Sequence, residues 1–471
     1  MLPLTDLPTI VEHYAPLYAP LFTKAGYQHF KRFVAGLLVS ENKTVQAISR
    51  LFIPTENQHP KDQSNLNRFL NKSPFDKALF HQTRLSMLSN QTATALKPKG
   101  VLSIDDTLLT HVGKKIEGIY VIWDHVEHRY VRAHNLLTLH YSDDQTDYPI
   151  NYQFWKAPDI VALEAALDSE GIYINPEKRA NKEALGKKWR HYLLQRYGTY
   201  QYKKPVLQET YQTKLHLGLE MFKGFCEQYP NLRLPFSFDS WFTQPDFCRQ
   251  VAQLNRIYVG ALKTSKQIQL AGNRLLTVSE FADRLKEEHL SSTKPVFEKT
   301  TIPYKGKREV YYTYCQTHRI KSYGKQRLLI SYNQEDLGDT PKFYICNQHN
   351  WMAYGICRIA RHRWPVEVFH QEGKAEGLGK YQLRNAKGID SHVAFVVLVY
   401  SMLQAAKHDV ELLSKLRAQL IPKLDGSSAY WRRLTQAESF AILVEWIFLM
   451  IQKGQSLEQV LKPLMQTIAY T

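Results

Sequence analysis

The sequence predicts a mixed α/β core interrupted by an all-β insertion, with helical regions at both ends. Three observations predict it. Apolar residues recur at helical three- and four-residue steps up to about residue 95, and strand-like runs of β-branched and aromatic residues take over from Lys99. Between 99 and 263 such runs alternate with helical stretches, the pattern of a sheet covered by helices. Residues 264–350 then break that alternation with strand-like runs alone, after which helical periodicity returns.

Composition narrows the function. At roughly 150 residues per domain, 471 residues make about three structural units. Lys and Arg number 61 against 44 Asp and Glu, a net charge of +17, while 44% of residues are hydrophobic and 12% aromatic. That is too apolar for a disordered basic tail, and it points to a folded protein with a polyanionic partner, nucleic acid or a membrane surface. The longest uncharged apolar stretch, 394–406, has 13 residues. That is short of the ~20 needed to span a bilayer, so a buried core helix is expected there and no membrane partner. The N-terminus carries Asp6 and Glu12 and no basic n-region, so no export signal is expected. Five cysteines without a C-x-x-C pair suggest neither a disulfide framework nor a zinc knuckle, and place the chain in a reducing cytoplasm. No repeat of fixed period is present.

The elements follow in order. Helical patterns at 44–52 and 63–72 flank the breaker-rich 53–62, and Ser73 as cap, Pro74 and Asp76 predict a further helix over 73–89. Asn65, Asn67, Arg68 and Lys72 suit a groove-reading helix, although a plain helical bundle fits the periodicity equally. Strands are expected at 101–107, 119–124, 130–142 and 148–155, a helix over 206–229, a strand at 234–239, a helix over 244–255 and a strand at 257–262. In the insertion TTIPYK, EVYYTYCQTH, RLLISYN and KFYICNQ read as strands separated by turns. Helices at 358–374, 392–407 and 435–469 complete the chain.

Two expected strands end in acids, at Asp106 (or its neighbour Asp105) and at Asp239. Ligands of α/β sheets bind outside the carboxyl ends of the strands, and two carboxylates meeting there repel unless a hard cation such as Mg²⁺ lies between them. Taken singly, each Asp also reads as a turn cap. Further on, Arg363 and Glu367 are four apart and Glu367 and Lys374 seven apart, so one helical face would carry all three. A carboxylate between two cations can bind metal while its neighbours hold phosphates, and it also reads as a surface ion pair. His362 and His370 flank Glu367 and are expected at the helix surface or core edge.

Asp106-Thr107 after a strand, Asp239 after a later strand, a β-rich insertion and then RWPVEVFHQEGK together resemble the DDE transposases of bacterial insertion sequences. The closer resemblance is to the Y-R-E-K signature group, the insertion sequence four superfamily. It implies a helical DNA-end-binding module at 1–95 and an RNase H-like core at 96–263 and 351–385. A β-rich insertion at 264–350 and a helical C-terminal region at 386–471 complete the expected domains. It also implies Asp106, Asp239 and Glu367 as the metal triad for two Mg²⁺ ions, replaceable by Mn²⁺, with Arg363 and Lys374 holding DNA phosphates. Asp106 is preferred to Asp105 because the family's acid directly precedes the threonine. Two departures stand out: Ala360 occupies the signature tyrosine's place, and Pro365 suits only a first helical turn, so the helix should start or kink near Trp364.

The implied function is cut-and-paste transposition: binding terminal inverted repeats, metal-dependent cleavage and joining to target DNA, by a homodimer in a bacterial cytoplasm. The alternatives are a structure-selective RNase H-like nuclease without joining activity and a decayed transposase that only binds DNA. For DNA contacts, 177–204 holds nine cations against two acids, among Trp189, Tyr192, Tyr197, Tyr200 and Tyr202. Lys187, Lys188, Arg190 and Arg196 are the candidates there, and a solvated helix with inward aromatics is the other reading. Residues 299–327 add eight cations against Glu309 alone, with Lys305, Lys307 and Arg308 as candidates. The resemblance further implies an insertion aromatic stacking on a flipped base, Phe343 or Tyr344.

Overall fold

A computed structural model describes residues 3–469 other than 54–62, 202, 271, 273 and 417–425. The strand-like runs gather into one sheet. Its first part is β1 (Val101–Thr110), β2 (Tyr120–Asp124), β3 (Arg129–Ser142), β4 (Asp147–Trp155), β5 (Phe236–Phe238) and β6 (Tyr258–Ala261). The insertion adds β7 (Gln267–Gln269), β8 (Leu275–Thr277), β9 (Glu298–Tyr304), β10 (Lys307–Ile320), β11 (Gly324–Tyr332) and β12 (Lys342–Cys346). The order is β2-β3-β1-β5-β6-β12-β11-β10-β7-β8, with β4 paired to β3 and β9 to β10. β1, β5 and β6 run parallel, and β12 joins β6 antiparallel. The insertion therefore extends the core sheet instead of forming a sheet of its own.

The helices before β1 are α1 (Thr9–Tyr14), α2 (Lys24–Val39), α3 (Val45–Ser49), α4 (Gln63–Lys72) and α5 (Lys77–Ser89), with a 3₁₀ turn at Ala15–Leu21. Between β4 and β5 come α6 (Ile160–Ser169), α7 (Pro176–Ala180), α8 (Lys182–Leu185), α9 (Lys187–Tyr200), α10 (Val206–Thr210) and α11 (Lys214–Gln228). α12 (Pro245–Gln253) links β5 to β6, and α13 (Val278–Ser291) lies within the insertion. The chain closes with α14 (Ala353–Arg361), α15 (Pro365–Glu376), α16 (Ala386–Ala406), α17 (Val410–Lys415), α18 (Ser428–Gln452) and α19 (Leu457–Ala469).

Several expected boundaries move for local reasons. α5 is capped by Asp76, whose Oδ1 accepts from the Ala78 and Leu79 N–H groups, so Ser73 and Pro74 stay outside the helix. The expected helix over 206–229 breaks before Thr213, which caps α11. The insertion is mostly strand but includes α13, opened by a capping box of Thr277 and Glu280. The helix expected at 358–374 is interrupted between α14 and α15, where Trp364 is the cap and Pro365 the first helical residue. Most of 53–62, and with it any turn between α3 and α4, lies outside the described residues, as does Tyr202.

The core helix expected around 394–406 is α16, whose side chains from Val393 to Ala406 are all buried. Phe395 stands at its centre, with the rings of Phe30, Phe33, Phe69, Phe75 and Phe80 at 5.4–5.7 Å. These contacts bring α2, α4 and α5 onto the helix that also packs on β4, so the N-terminal helices share the core of the sheet domain. Helices α6 to α10 instead bury Leu163, Leu167, Trp189, Leu193, Tyr197 and Leu207 in a small core of their own.

Candidate active site

The pleat of β1 sorts the site. Successive side chains of a strand point to opposite faces. Val101 packs with Ile356, Cys357 and Ile359 of α14, whereas Ile104 faces α11 so closely that a Cβ on Gly218 would lie 2.4 Å from its Cδ1. Odd-numbered residues therefore look toward α14 and α15, even-numbered ones toward α11.

Asp105 follows the first direction. The parallel register pairs Ser103 with Ser237 and Ile104 with Phe238, so Asp105 and Asp239 come next in register where this pairing stops; contrary to the expected strand end at the acids, β1 itself runs on to Thr110. Arg363, in the turn before α15, places one guanidinium nitrogen 3.4 Å from Asp105 Oδ2 and another 2.6 Å from Glu367 Oε1. Burial pushes the Asp105 carboxyl up to about 7; Arg363 opposes this, and the negative charges of Asp239 and Asp106 add to it. Asp239 is also raised, first by burial, against the Phe242 and Trp241 N–H groups that donate to its Oδ1 at 2.9 and 3.0 Å. The Asp239 side chain thus does cap the turn after β5 while remaining in the acidic pair.

Asp106 follows the second direction. Its Oδ2 accepts from Asn135 Nδ2 at 2.5 Å and from Lys214 Nζ, the first residue of α11, at 2.8 Å. Lys214 lies between two indoles, 5.5 Å from the Trp155 ring and 5.2 Å from that of Trp241. The close Ile104–Gly218 approach sets this contact, because Asp106 is two residues beyond Ile104 and Lys214 one helical turn before Gly218. It is Asp105, the neighbour of the preferred Asp106, that shares a face with Asp239 and Arg363. Sequence reading missed Asn135, Lys214, Trp155 and Trp241, since nothing local to them signals contacts spanning up to 108 residues.

Asp105, Asp106, Asp239, Lys214, Trp241 and Lys374 line one cleft of about 890 Å³. Burial lowers the Lys374 ammonium, and Asp124 and Glu127 hold it up, so this lysine answers to the β2–β3 turn. Among the described residues, no three His, Cys, Asp or Glu side chains are grouped closely enough to hold a metal. Arg363, bound to both Asp105 and Glu367, occupies the junction of the three acids. His362 and His370 are both fully enclosed, contrary to a surface place: His362 Nδ1 meets Ser142 Oγ at 3.1 Å and His370 Nε2 meets Thr138 Oγ1 at 3.2 Å.

A second cleft, of about 640 Å³, is lined by Arg363 together with Tyr311, Lys342, Tyr344, Ala360, Arg361 and Trp364. Of the two stacking candidates Phe343 is buried in the core, while Tyr344 faces this cleft beside the tyrosine-less position 360.

The basic candidates divide. Arg68 is exposed on the face of α4 away from α16, and Lys187, Lys188 and Arg190 are exposed on α9. Arg196 is half-buried over the Tyr200 ring. Trp189 and Tyr197 point inward, leaving the cations of α9 toward solvent. Arg179 and Lys182 bind Glu164, and Lys204 binds Glu170. Lys307 and Arg308 are exposed, but Lys305 is engaged: its Nζ lies 2.8 Å from Asp147 Oδ2.

The model of the DDE superfamily endonuclease family matches residues 16–280, more than half of the chain, including Asp105, Asp106 and Asp239 but ending before Glu367. No curated protein matches the chain. A solved structure titled as the cryo-EM structure of a piggyBac transposase synaptic complex with hairpin DNA is similar at 11% identity and a TM-score of 0.40. That likeness covers 96% of this chain and 76% of that one, and at such a score it bears on neither fold nor function.

Proposed function

Because the chain belongs to the DDE superfamily endonuclease family, we propose that it is a DNA transposase of the cut-and-paste kind, with Asp105, Asp239 and Glu367 as its acidic triad. The observation that supports this most is the pairing of Asp105 with Asp239 at the rim of the parallel strands, joined through Arg363 to Glu367.

The donor set suits a hard divalent cation. All three groups offer carboxylate oxygens, the donors such a cation takes. Asp105 and Asp239 would hold the ion, and Glu367, here paired with Arg363, would join them as third ligand only once that pair opens. Bound Mg²⁺ or Mn²⁺ supplies Lewis acidity toward the attacking and leaving oxygens of an in-line phosphodiester displacement. The protein's own contribution is placement. Lys214 in the first cleft is held by Trp155, Trp241 and Asp106, and Arg363 in the second by two acids, so a phosphodiester entering either cleft would meet a fixed cation that needs no reorganisation. Lys374 adds a third cation in the first cleft, and the exposed Lys187, Lys188, Arg190, Lys307 and Arg308 extend the phosphate contacts outward. The DNA substrate would be the terminal inverted repeats, brought together by two copies of the chain.

Labelled DNA from the flanks of the gene, incubated with the protein and Mg²⁺, tests the reading. Nicks at the repeat ends together with joined products support it. Nicks placed by DNA shape without joining favour a structure-selective nuclease, and binding without any cut contradicts the catalytic assignment.

A further inference from the structure

Helices α6 to α10 make a lobe with a core of its own, and its ion pairs Arg179 and Lys182 to Glu164 and Lys204 to Glu170 close within it. The chain enters the lobe through 156–159 and leaves through 211–213, both without helix or strand. The two crossings are clasped at the root: Trp155 Nε1 donates to the Gln212 carbonyl at 3.1 Å, and its ring meets that of Tyr211 at 6.4 Å. Next to them a crevice of about 710 Å³ is lined by Asp159, Gln208 and Glu209 of the lobe and by Tyr152, Leu217 and Asp390 of the body. The far end makes a thin contact. Tyr197, whose hydroxyl donates to the Tyr211 carbonyl, marks the root, and Lys187 lies ten residues along the same helix, roughly 15 Å away. The Lys187 ammonium stands 5.0 Å over the ring of Tyr130, which is still 58% exposed. Tyr130 in turn meets Trp123 edge-on at 5.1 Å, and Trp123 lines the active cleft.

We propose that this lobe is a hinged clamp for duplex DNA, which swings about 156–159 and 211–213, opens when Lys187 leaves Tyr130 and closes over a duplex lying in the cleft. A unit with its own core, joined by two short irregular crossings and touching the body through little packed apolar surface, moves as a rigid body. The latch suits phosphate as the trigger. Residues 184–200 contain no acid, so the end that moves presents Lys187, Lys188 and Arg190 without a local counter-charge. An exposed cation–aromatic contact is weak enough for phosphates to displace it. Both ends of the lobe also adjoin the cleft. The latch reaches its rim through Trp123, and the clasp reaches its interior through Trp155, whose ring lies 5.5 Å from the Lys214 ammonium that holds Asp106. The proposal rests on the reading of the chain as a DNA-processing enzyme, and is independent of which acids hold metal.

A reversible bridge across the latch tests it on the full chain. Lys187→Cys/Tyr130→Cys is joined by a bis-methanethiosulfonate linker that reductant removes, with wild type given the same reagent as control. Stopped-flow anisotropy then follows exchange of a labelled duplex from the flanks of the gene. The bridged protein is expected to associate at least tenfold more slowly than the same protein after reductant. Tyr130→Ala, which unlatches the lobe and leaves the cations of α9 in place, is expected to raise association and dissociation rates together, about threefold or more each. Failure of the pair to bridge in the free protein, association indifferent to the bridge, or a Tyr130→Ala protein with unchanged rates would each overturn the clamp while leaving the DNA reading intact. No association of the wild type with duplex DNA would overturn the DNA reading and the clamp with it.

Discussion

Asp105 and Asp106 are neighbours in sequence, yet the pleat hands one to Asp239 and Arg363 and the other to Lys214 and Asn135. The sequence could not make that choice. β1 is buried on both faces from Val101 to Ile104, so its alternation carries no inside-outside signal, and the faces are distinguished only by α11 on one side and α14 on the other. That Arg363 would reach Glu367 and that Asp239 would follow a strand end was legible, because both are local properties; that β1 runs on past its acids to Thr110 was not, because its pairing with β3 is long-range. Lys214 yields a prediction at this scale. Lys214→Met keeps the stem between Trp155 and Trp241 but removes the charge. It should cost about 1 kcal/mol or less in urea unfolding, and should lower cleavage on the order of 10²-fold if the ammonium acts on the phosphodiester. Unaltered cleavage would confine Lys214 to a structural role.

Elements are placed by close approaches and by pinned turns. Gly218 lets α11 settle onto β1, and Gly218→Val should destabilise the fold by about 1–3 kcal/mol, because a side chain there must displace Ile104. The β9–β10 turn is pinned to the core by Lys305. Burial of Asp147 alone would raise its carboxyl, but Lys305 and then His140 outweigh it and hold the carboxyl far below the usual range. A carboxyl depressed in the folded state contributes stability that is present above its unfolded pKa of about 3.9 and is lost as the pH falls below that. The stability gap between wild type and Asp147→Asn should therefore be constant above about pH 5 and shrink on acidification below about pH 4, as followed by denaturant titration. The break between α14 and α15 was legible from Pro365, since proline admits only a first turn. The separate core of α6 to α10 was not, because the inward place of Trp189 and Tyr197 depends on partners 20 or more residues away in α6 and on Leu207.

Across the whole molecule, the +17 charge acquires a layout: an acidic centre, cations set beside it, and exposed cations on α9 and the β9–β10 hairpin. Neutralising Lys187 and Lys188 together should lower the slope of log affinity against log salt by about 2, one for each phosphate left without its lysine, while leaving cleavage at saturating DNA unchanged. An unaltered slope would remove α9 from the DNA path. The catalytic centre itself is tested most directly by comparing Asp105→Asn with Asp106→Asn in Mg²⁺-dependent nicking of DNA carrying the element's ends, with end binding measured alongside. The account predicts that Asp105→Asn binds and does not cut, whereas Asp106→Asn still cuts. A fully active Asp105→Asn beside an inactive Asp106→Asn would contradict it.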